Sequence, residues 1–328
     1  MSDALLAAYD AVLFDLDGTV YHGSQVIAGA PEAVAAVREH GATVRYVTNN
    51  ASKAPADVVA HLRGLGLAAE VDEVHTSAQA ATAVLRERLP AGAQVLIVGT
   101  DALAAQVTEQ GLTTTRANGP DVAAVVQGHS PDTAWANLAE ACLAIRAGVL
   151  WVACNVDATL PTERGLLPGN GSMVNALRTA TDTDPIVAGK PQPLLFRTAA
   201  KSAGASRPLV VGDRLDTDIA GAVAAGIDVL AVLSGVCTAK DLVHATRAER
   251  PTHLAADLTA LTHRGDELKI GPRPGWEITG GEALTIRGDG EPLDLLRALC
   301  HTVWETGVTD LHADGAAATA ALQRLGLA

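Results

Sequence analysis

The chain has 328 residues, 48% of them hydrophobic but only 3% aromatic, and a formal net charge of −13. That length allows two or three domains, with cores built mainly from Ala, Val and Leu. An acidic balance without a clustered basic patch argues against a nucleic-acid partner, whereas one local cationic site suffices for a small phosphate ester.

The four cysteines, Cys142, Cys154, Cys237 and Cys300, are scattered without a CxxC pair or zinc spacing, which predicts buried reduced thiols. Asp3 and the lack of a basic segment before an apolar run predict no signal peptide. The nearly uncharged stretch 219–239 is split by Gly221, Gly226 and Asp228, so it reads as a helix and a strand, not a membrane span. The expectation is a cytoplasmic protein with no membrane partner.

In chain order, the apolar run Val12-Leu13-Phe14 predicts a buried parallel strand ending in Asp15-Leu16-Asp17-Gly18-Thr19. Asp15 and Asp17 then sit at the strand's carboxyl end, where open α/β sheets bind their ligands. Two such carboxylates repel unless a cation or proton joins them, although Asp and Gly also suit an ordinary turn. A helix over 32–40 closes at Gly41, and a strand at 44–47 runs into Thr48-Asn49-Asn50. Those small polar residues can donate to an anion, cap the next helix over 57–65, or do both.

After a helix over 78–89, a second β-α alternation opens at 95–99. It continues through 122–126, a helix holding Trp135, and 150–154. Residues 155–172 are rich in Gly, Pro and polar side chains, and 173–181 predicts a helix. This block reads as a smaller α/β unit inserted into the first sheet. The first pattern resumes at 186–188, meeting Gly189-Lys190-Pro191. A strand at 209–211 feeds Gly212-Asp213, with Asp218 five residues on. The strand at 229–233 ends at Ser234-Gly235-Val236. Beyond a linker at 271–275, two alternating strands at 276–279 and 283–286 precede helices over 293–305 and 316–325.

Asp15-x-Asp17-Gly18-Thr19, the strand-end Thr48, Lys190 and Gly212-Asp213-x4-Asp218 follow one another in the order of the four motifs of the haloacid dehalogenase superfamily. Thr48-Asn49-Asn50, Gly189-Lys190-Pro191, Asn155-x-Asp157 with Pro161, and Gly169-x-Gly171-Ser172 resemble the NagD-like phosphatases with a type-two cap. The resemblance spans roughly 10–262 and implies an α/β fold: a Rossmann-like parallel-sheet core (1–77 and 186–262), an inserted α/β cap (78–185) and a small α+β extension (263–328). The extension resembles a fragment of an acetyl-CoA-dependent acetyltransferase but lacks its pyrophosphate loop. A structural appendage is the first expectation for it, a regulatory or dimerising segment the second and acetyl transfer the third.

The resemblance implies a phosphomonoesterase. Asp15 would attack phosphorus and Asp17 would act as general acid and then base. Mg²⁺ would be held by Asp15, the Asp17 carbonyl and Asp213, with Asp218 completing the metal site mainly through water or by orienting the others. Thr48, Asn49, Asn50 and Lys190 would bind the phosphoryl group. Leu160, where the pyridoxal phosphatases of the family have histidine, would line a small dry pocket and favour a small polyol phosphate, glycerol 3-phosphate first. Phosphoglycolate, UMP and pyridoxal phosphate are the alternative substrates. A phosphomutase or a non-catalytic regulatory ligand-binding protein would be the rival classes. A small phosphorylated metabolite and a second copy of the chain are the expected partners. Taken singly, Lys190 would read as a solvated surface residue, Asp216 as a bystander, and His22, His75 and His129 as surface or hydrogen-bonded residues.

Overall fold

The computed structural model describes residues 4–162 and 164–328, so Asp3 lies outside the described residues. The chain forms two compact units, one taking it up to Arg45 and again from Ala200, the other comprising Tyr46–Ala199. It passes from the first to the second inside the strand Thr43–Thr48. Among the described residues, no helix is long and apolar enough to cross a membrane.

In the first unit four parallel strands lie in the order His253–Ala255, Asp228–Val232, Pro208–Gly212, Ala11–Phe14. Every residue of Ala11–Phe14 is buried. A parallel strand covered on both faces must be apolar along its whole length, which is why these segments appear as unbroken apolar runs. Because the strands are parallel, Asp15 and Asp213 leave adjacent strands at the same end. The helix Ala30–Glu39 buries Ala30, Ala33, Val34 and Val37, the spacing of one helical face.

The C-terminal extension belongs to this unit. Its strands Trp276–Gly280 and Leu284–Gly288 form an antiparallel hairpin, and Leu311–Ala313 adds in parallel to the second of them. Helix Pro292–Thr306 opens with proline and closes at Gly307 in the left-handed region, φ 74°. Its buried face carries Leu295, Leu296, Leu299, Cys300 and Val303. From the same helix, the buried Arg297 donates through Nε and Nη2 to the Leu254 carbonyl at 3.0 and 2.7 Å. Its Nη1 donates to Asp294 at 2.8 Å, so the buried guanidinium is partnered on both sides. Trp304 Nε1 donates to the Leu242 carbonyl at 3.0 Å, with Arg250 stacked 5.2 Å from its ring. The extension is thereby fastened to the edge strand and to the helix Ala239–Val243.

The second unit is built on a five-stranded parallel sheet in the order Ile186–Val187, Leu150–Ala153, Val122–Gln127, Gln94–Val98, Thr113–Thr115. Leu96, Val125 and Trp151 from the strands pack with Ile145, Val174 and Leu177 from two helices. Two sequence expectations change here. Ile186–Val187, expected to resume the first sheet, pairs instead with Leu150–Ala153. The stretch 155–172 contains an antiparallel hairpin, Thr159–Thr162 with Gly165–Pro168, and the following helix starts at Asn170. Pro161, Gly165 and Pro168 suppress the alternation that marks a strand. Gly171 obscures the helix start, because a Cβ there would strike the Val156 carbonyl.

Candidate active site

The first unit contributes a buried acidic cluster. Asp15 follows the end of Ala11–Phe14, Asp213 follows Pro208–Gly212, and Asp218 lies on the helical turn Leu215–Ile219. All three are buried, and each offers a carboxylate oxygen within 4.8 Å of the others. At such a spacing each charged pair repels by roughly 4 kcal/mol at an effective dielectric near 20. That repulsion calls for a cation, and a set of hard oxygen donors suits Mg²⁺ rather than a softer metal. Asp17 lies two residues beyond Asp15, exposed, where its backbone bridges to Tyr21.

The cluster is held by short contacts that sequence reading left without a role. Thr19 Oγ1 donates to Asp213 Oδ1 at 3.1 Å, and the Val236 amide donates to Asp213 Oδ2 at 2.7 Å. The Arg214 amide donates to Asp218 Oδ2 at 3.1 Å. Ser234 Oγ donates to the Gly18 carbonyl at 3.0 Å, tying the loop after Asp228–Val232 to the first turn. Gly18 needs its glycine twice over: φ is 89°, and a Cβ would run into the Asp213 carboxylate. Gly235 presses on the same carboxylate, again with no room for a Cβ. The signal available in the sequence was the small-residue run Ser234-Gly235-Val236 at the carboxyl end of a core strand.

Asp216, read as a bystander, is exposed and salt-bridged to Arg214 at 2.8 Å. His22 contacts the Ser234 carbonyl through Nε2 at 2.9 Å and is likewise exposed. Burial pushes the His129 imidazole below its ordinary value.

The second unit carries the remaining sequence candidates. Thr48 is the buried last residue of its strand, and its Oγ1 accepts from the Asn50 amide at 3.1 Å. Asn50 is exposed; its Oδ1 accepts from the Ser52 amide at 2.8 Å in a turn ahead of helix Pro55–Gly64, whose N-cap is Ala54, so Asn50 does not cap that helix. Lys190 is only 3% exposed, so the reading of a solvated lysine does not apply. Its main chain is bracketed by the Asn49 side chain: Oδ1 accepts from Lys190 N at 2.8 Å, and Nδ2 donates to Lys190 O at 3.1 Å. The Asn49 carbonyl accepts from Ser77 Oγ at 2.6 Å and from Asn155 Nδ2 at 2.7 Å. Asn170 Nδ2 in turn donates to the Asn155 carbonyl at 2.7 Å. Leu160 is half-buried and stands opposite Leu167 in the hairpin.

Known proteins match along nearly the whole chain. Residues 12–113 match the model of the haloacid dehalogenase-like hydrolases, and 187–261 match a second model of the same kind. Residues 273–327 match a GCN5-related N-acetyltransferase like domain. The D-glycerol 3-phosphate phosphatase of Mycobacterium tuberculosis is 50% identical over 97% of this chain and 94% of its own. The acid sugar phosphatase of Staphylococcus saprophyticus is 35% identical over 77% of this chain and 96% of its own. Among solved structures, the M. tuberculosis glycerol phosphate phosphatase in complex with magnesium superposes with a TM-score of 0.95 at 50% identity, covering 99% of each chain. Four motifs at successive strand ends, three buried carboxylates drawn together and this degree of identity agree: the chain belongs to the haloacid dehalogenase-like hydrolases.

Proposed function

We propose that this protein is a Mg²⁺-dependent phosphomonoesterase that hydrolyses a small polyol phosphate, with glycerol 3-phosphate the favoured substrate. The observation that carries the reading is the buried trio Asp15, Asp213 and Asp218 beside the exposed Asp17. The 50% identity to a glycerol 3-phosphate phosphatase supports the substrate. Asp15 attacks phosphorus in line, forming an aspartyl phosphate and releasing the alcohol, so one hard displacement becomes two easier ones. Asp17 gives its proton to the leaving oxygen and then takes one from the water that cleaves the intermediate. Its exposure leaves it accessible to both the alcohol and the water. Asp15, Asp213, Asp218 and the Asp17 carbonyl would hold Mg²⁺, which when bound neutralises charge on the phosphoryl oxygens. Thr48 and Lys190 supply further donors to those oxygens. The block 78–185, extended by Ile186–Val187, would serve as the specificity cap, with Leu160 selecting for a small leaving group.

Comparing kcat/KM across glycerol 3-phosphate, phosphoglycolate, UMP and pyridoxal phosphate tests the substrate. Glycerol 3-phosphate is expected to lead by at least about tenfold, or 1.4 kcal/mol of transition-state binding. A lead of that size for UMP or pyridoxal phosphate would sink the assignment.

The exposed side chains of Trp135 and Leu143, 82% and 56% accessible, lie eight residues apart along one face of helix Trp135–Arg146. An indole left this open supports a homodimer through that helix. In sedimentation analysis, Trp135→Glu is expected to convert dimer to monomer; a wild-type monomer at working concentration would contradict the dimer. All four cysteines are unpaired, which supports placing the protein in the reducing cytoplasm.

A further inference from the structure

We infer that Asn49 is a positioning residue for Lys190 and not a ligand of the phosphoryl group; the inference rests on the assignment of Lys190 to the phosphoryl oxygens. A side-chain amide has two N–H donors and one carbonyl oxygen. Asn49 Nδ2 gives one donor to the Lys190 carbonyl at 3.1 Å. The other goes to the Asp157 carboxylate, whose two oxygens stand at 3.1 and 3.2 Å. Both donors are committed within the protein, and the oxygen that remains repels an anionic phosphoryl oxygen. The orientation of the amide follows from its neighbours. Oδ1 faces the Lys190 N–H while Nδ2 faces only acceptors, so a flipped amide would lose every one of these bonds.

The bracket is stiff on both sides. Ser77 Oγ and Asn155 Nδ2 hold the Asn49 carbonyl, and the Asp157 amide donates to Asn155 Oδ1 at 3.3 Å. Before Lys190, Gly189 donates to the Cys154 carbonyl at 2.8 Å. A Cβ on Gly189 would come within 2.5 Å of both Asn49 Oδ1 and that same carbonyl, so no other residue fits without moving the bracket. Asn49 thus sets where the Lys190 main chain lies, and hence where its ammonium can reach. Asp157, in the loop that leads into the Leu160 hairpin, anchors the far side of the same amide.

Misplacing a charge-neutralising group by about 1 Å costs up to roughly 10²-fold in rate. The test uses the full-length protein with Mg²⁺ and 4-nitrophenyl phosphate, in a cycle of Asn49→Ala and Lys190→Ala. Asn49→Ala is expected to lower kcat/KM by 10- to 100-fold in the wild-type background and by less than twofold when Lys190→Ala is already present. Equal losses in both backgrounds would mean that Asn49 touches the substrate itself, and would overturn the inference alone. Wild-type activity in Lys190→Ala would overturn the underlying assignment of Lys190 instead.

If Asn49→Ala does not fold, Asn49→Asp provides the second arm. It keeps the size and the acceptor for Lys190 N but sets a carboxylate against Asp157. Adding Asp157→Asn restores a donor between the two positions, and activity is expected to recover about tenfold over Asn49→Asp. Absence of recovery would contradict the bracket.

Discussion

Replacing Asp15 with asparagine is expected to abolish turnover, lowering kcat by at least about 10³-fold on glycerol 3-phosphate and on 4-nitrophenyl phosphate alike. An amide is not a nucleophile toward phosphorus, and one anionic donor of the buried trio is lost with it. The fold should survive. The Asp15 amide still donates to the Val211 carbonyl at 2.9 Å, and asparagine fills the same space in this buried position. Asp17→Asn should behave differently. General acid catalysis contributes about 10²–10⁴-fold when the leaving group needs a proton. Glycerol needs one and nitrophenolate does not. The loss from Asp17→Asn should therefore be at least tenfold larger on glycerol 3-phosphate than on the aryl ester, as steady-state kinetics of the two substrates would reveal. Equal losses on both esters would remove Asp17 from the acid role, and an active Asp15→Asn would remove Asp15 as the nucleophile.

The second large effect is on stability and lies at the opposite strand ends. His253 opens the edge strand of the first unit, 8% exposed, with its ring edge-on to Tyr9 at 6.4 Å. It lines a cavity of about 410 Å³ with Leu5, Tyr9 and Lys269. Its Nδ1 is buried without a hydrogen-bond partner among the described residues, so a proton placed there would have no acceptor. Burial, aided by Lys269 and Arg273 and opposed by Asp228, pushes the imidazole down to about 4. In the unfolded chain the same ring takes its proton near pH 6.5. Between those values the unfolded state binds the extra proton, so stability falls as pH drops from about 6.5 to about 4 and this group adds no further loss below. The shift corresponds to about 3 kcal/mol over that window. Urea unfolding of the wild type and of His253→Gln, followed from pH 7 to pH 4, should show the variant lacking that share of the decline. Parallel pH profiles for the two proteins would contradict a buried neutral His253.

What the sequence disclosed, and what it withheld, follows from the range of the interactions. Fully buried parallel strands have to be apolar throughout, so 12–14, 209–211 and 229–233 were legible, and with them the carboxylates at their ends. The hairpin Thr159–Thr162 with Gly165–Pro168 was not legible, because its prolines and glycine mimic a loop. The sheet to which Ile186–Val187 belongs is decided by a partner more than thirty residues earlier, and its two-residue length carries no mark of that choice. Asn49 shows the same limit at the site. Next to Thr48 it resembles a phosphate donor, whereas its bonds go to Lys190, 141 residues away, and to Asp157, 108 residues away. Gly235 presses on a carboxylate that precedes it by more than twenty residues, a steric need that composition cannot express.

The proposed hydrolysis stands on Asp15 as a covalent nucleophile. Rapid acid quenching of the Mg²⁺-loaded protein during turnover of glycerol 3-phosphate, followed by peptide mass mapping, tests it most directly. The expected result is one phosphoryl group on Asp15, absent in Asp15→Asn. A phosphoryl group on another residue would contradict it, as would none trapped on the protein under quench conditions that preserve an acyl phosphate.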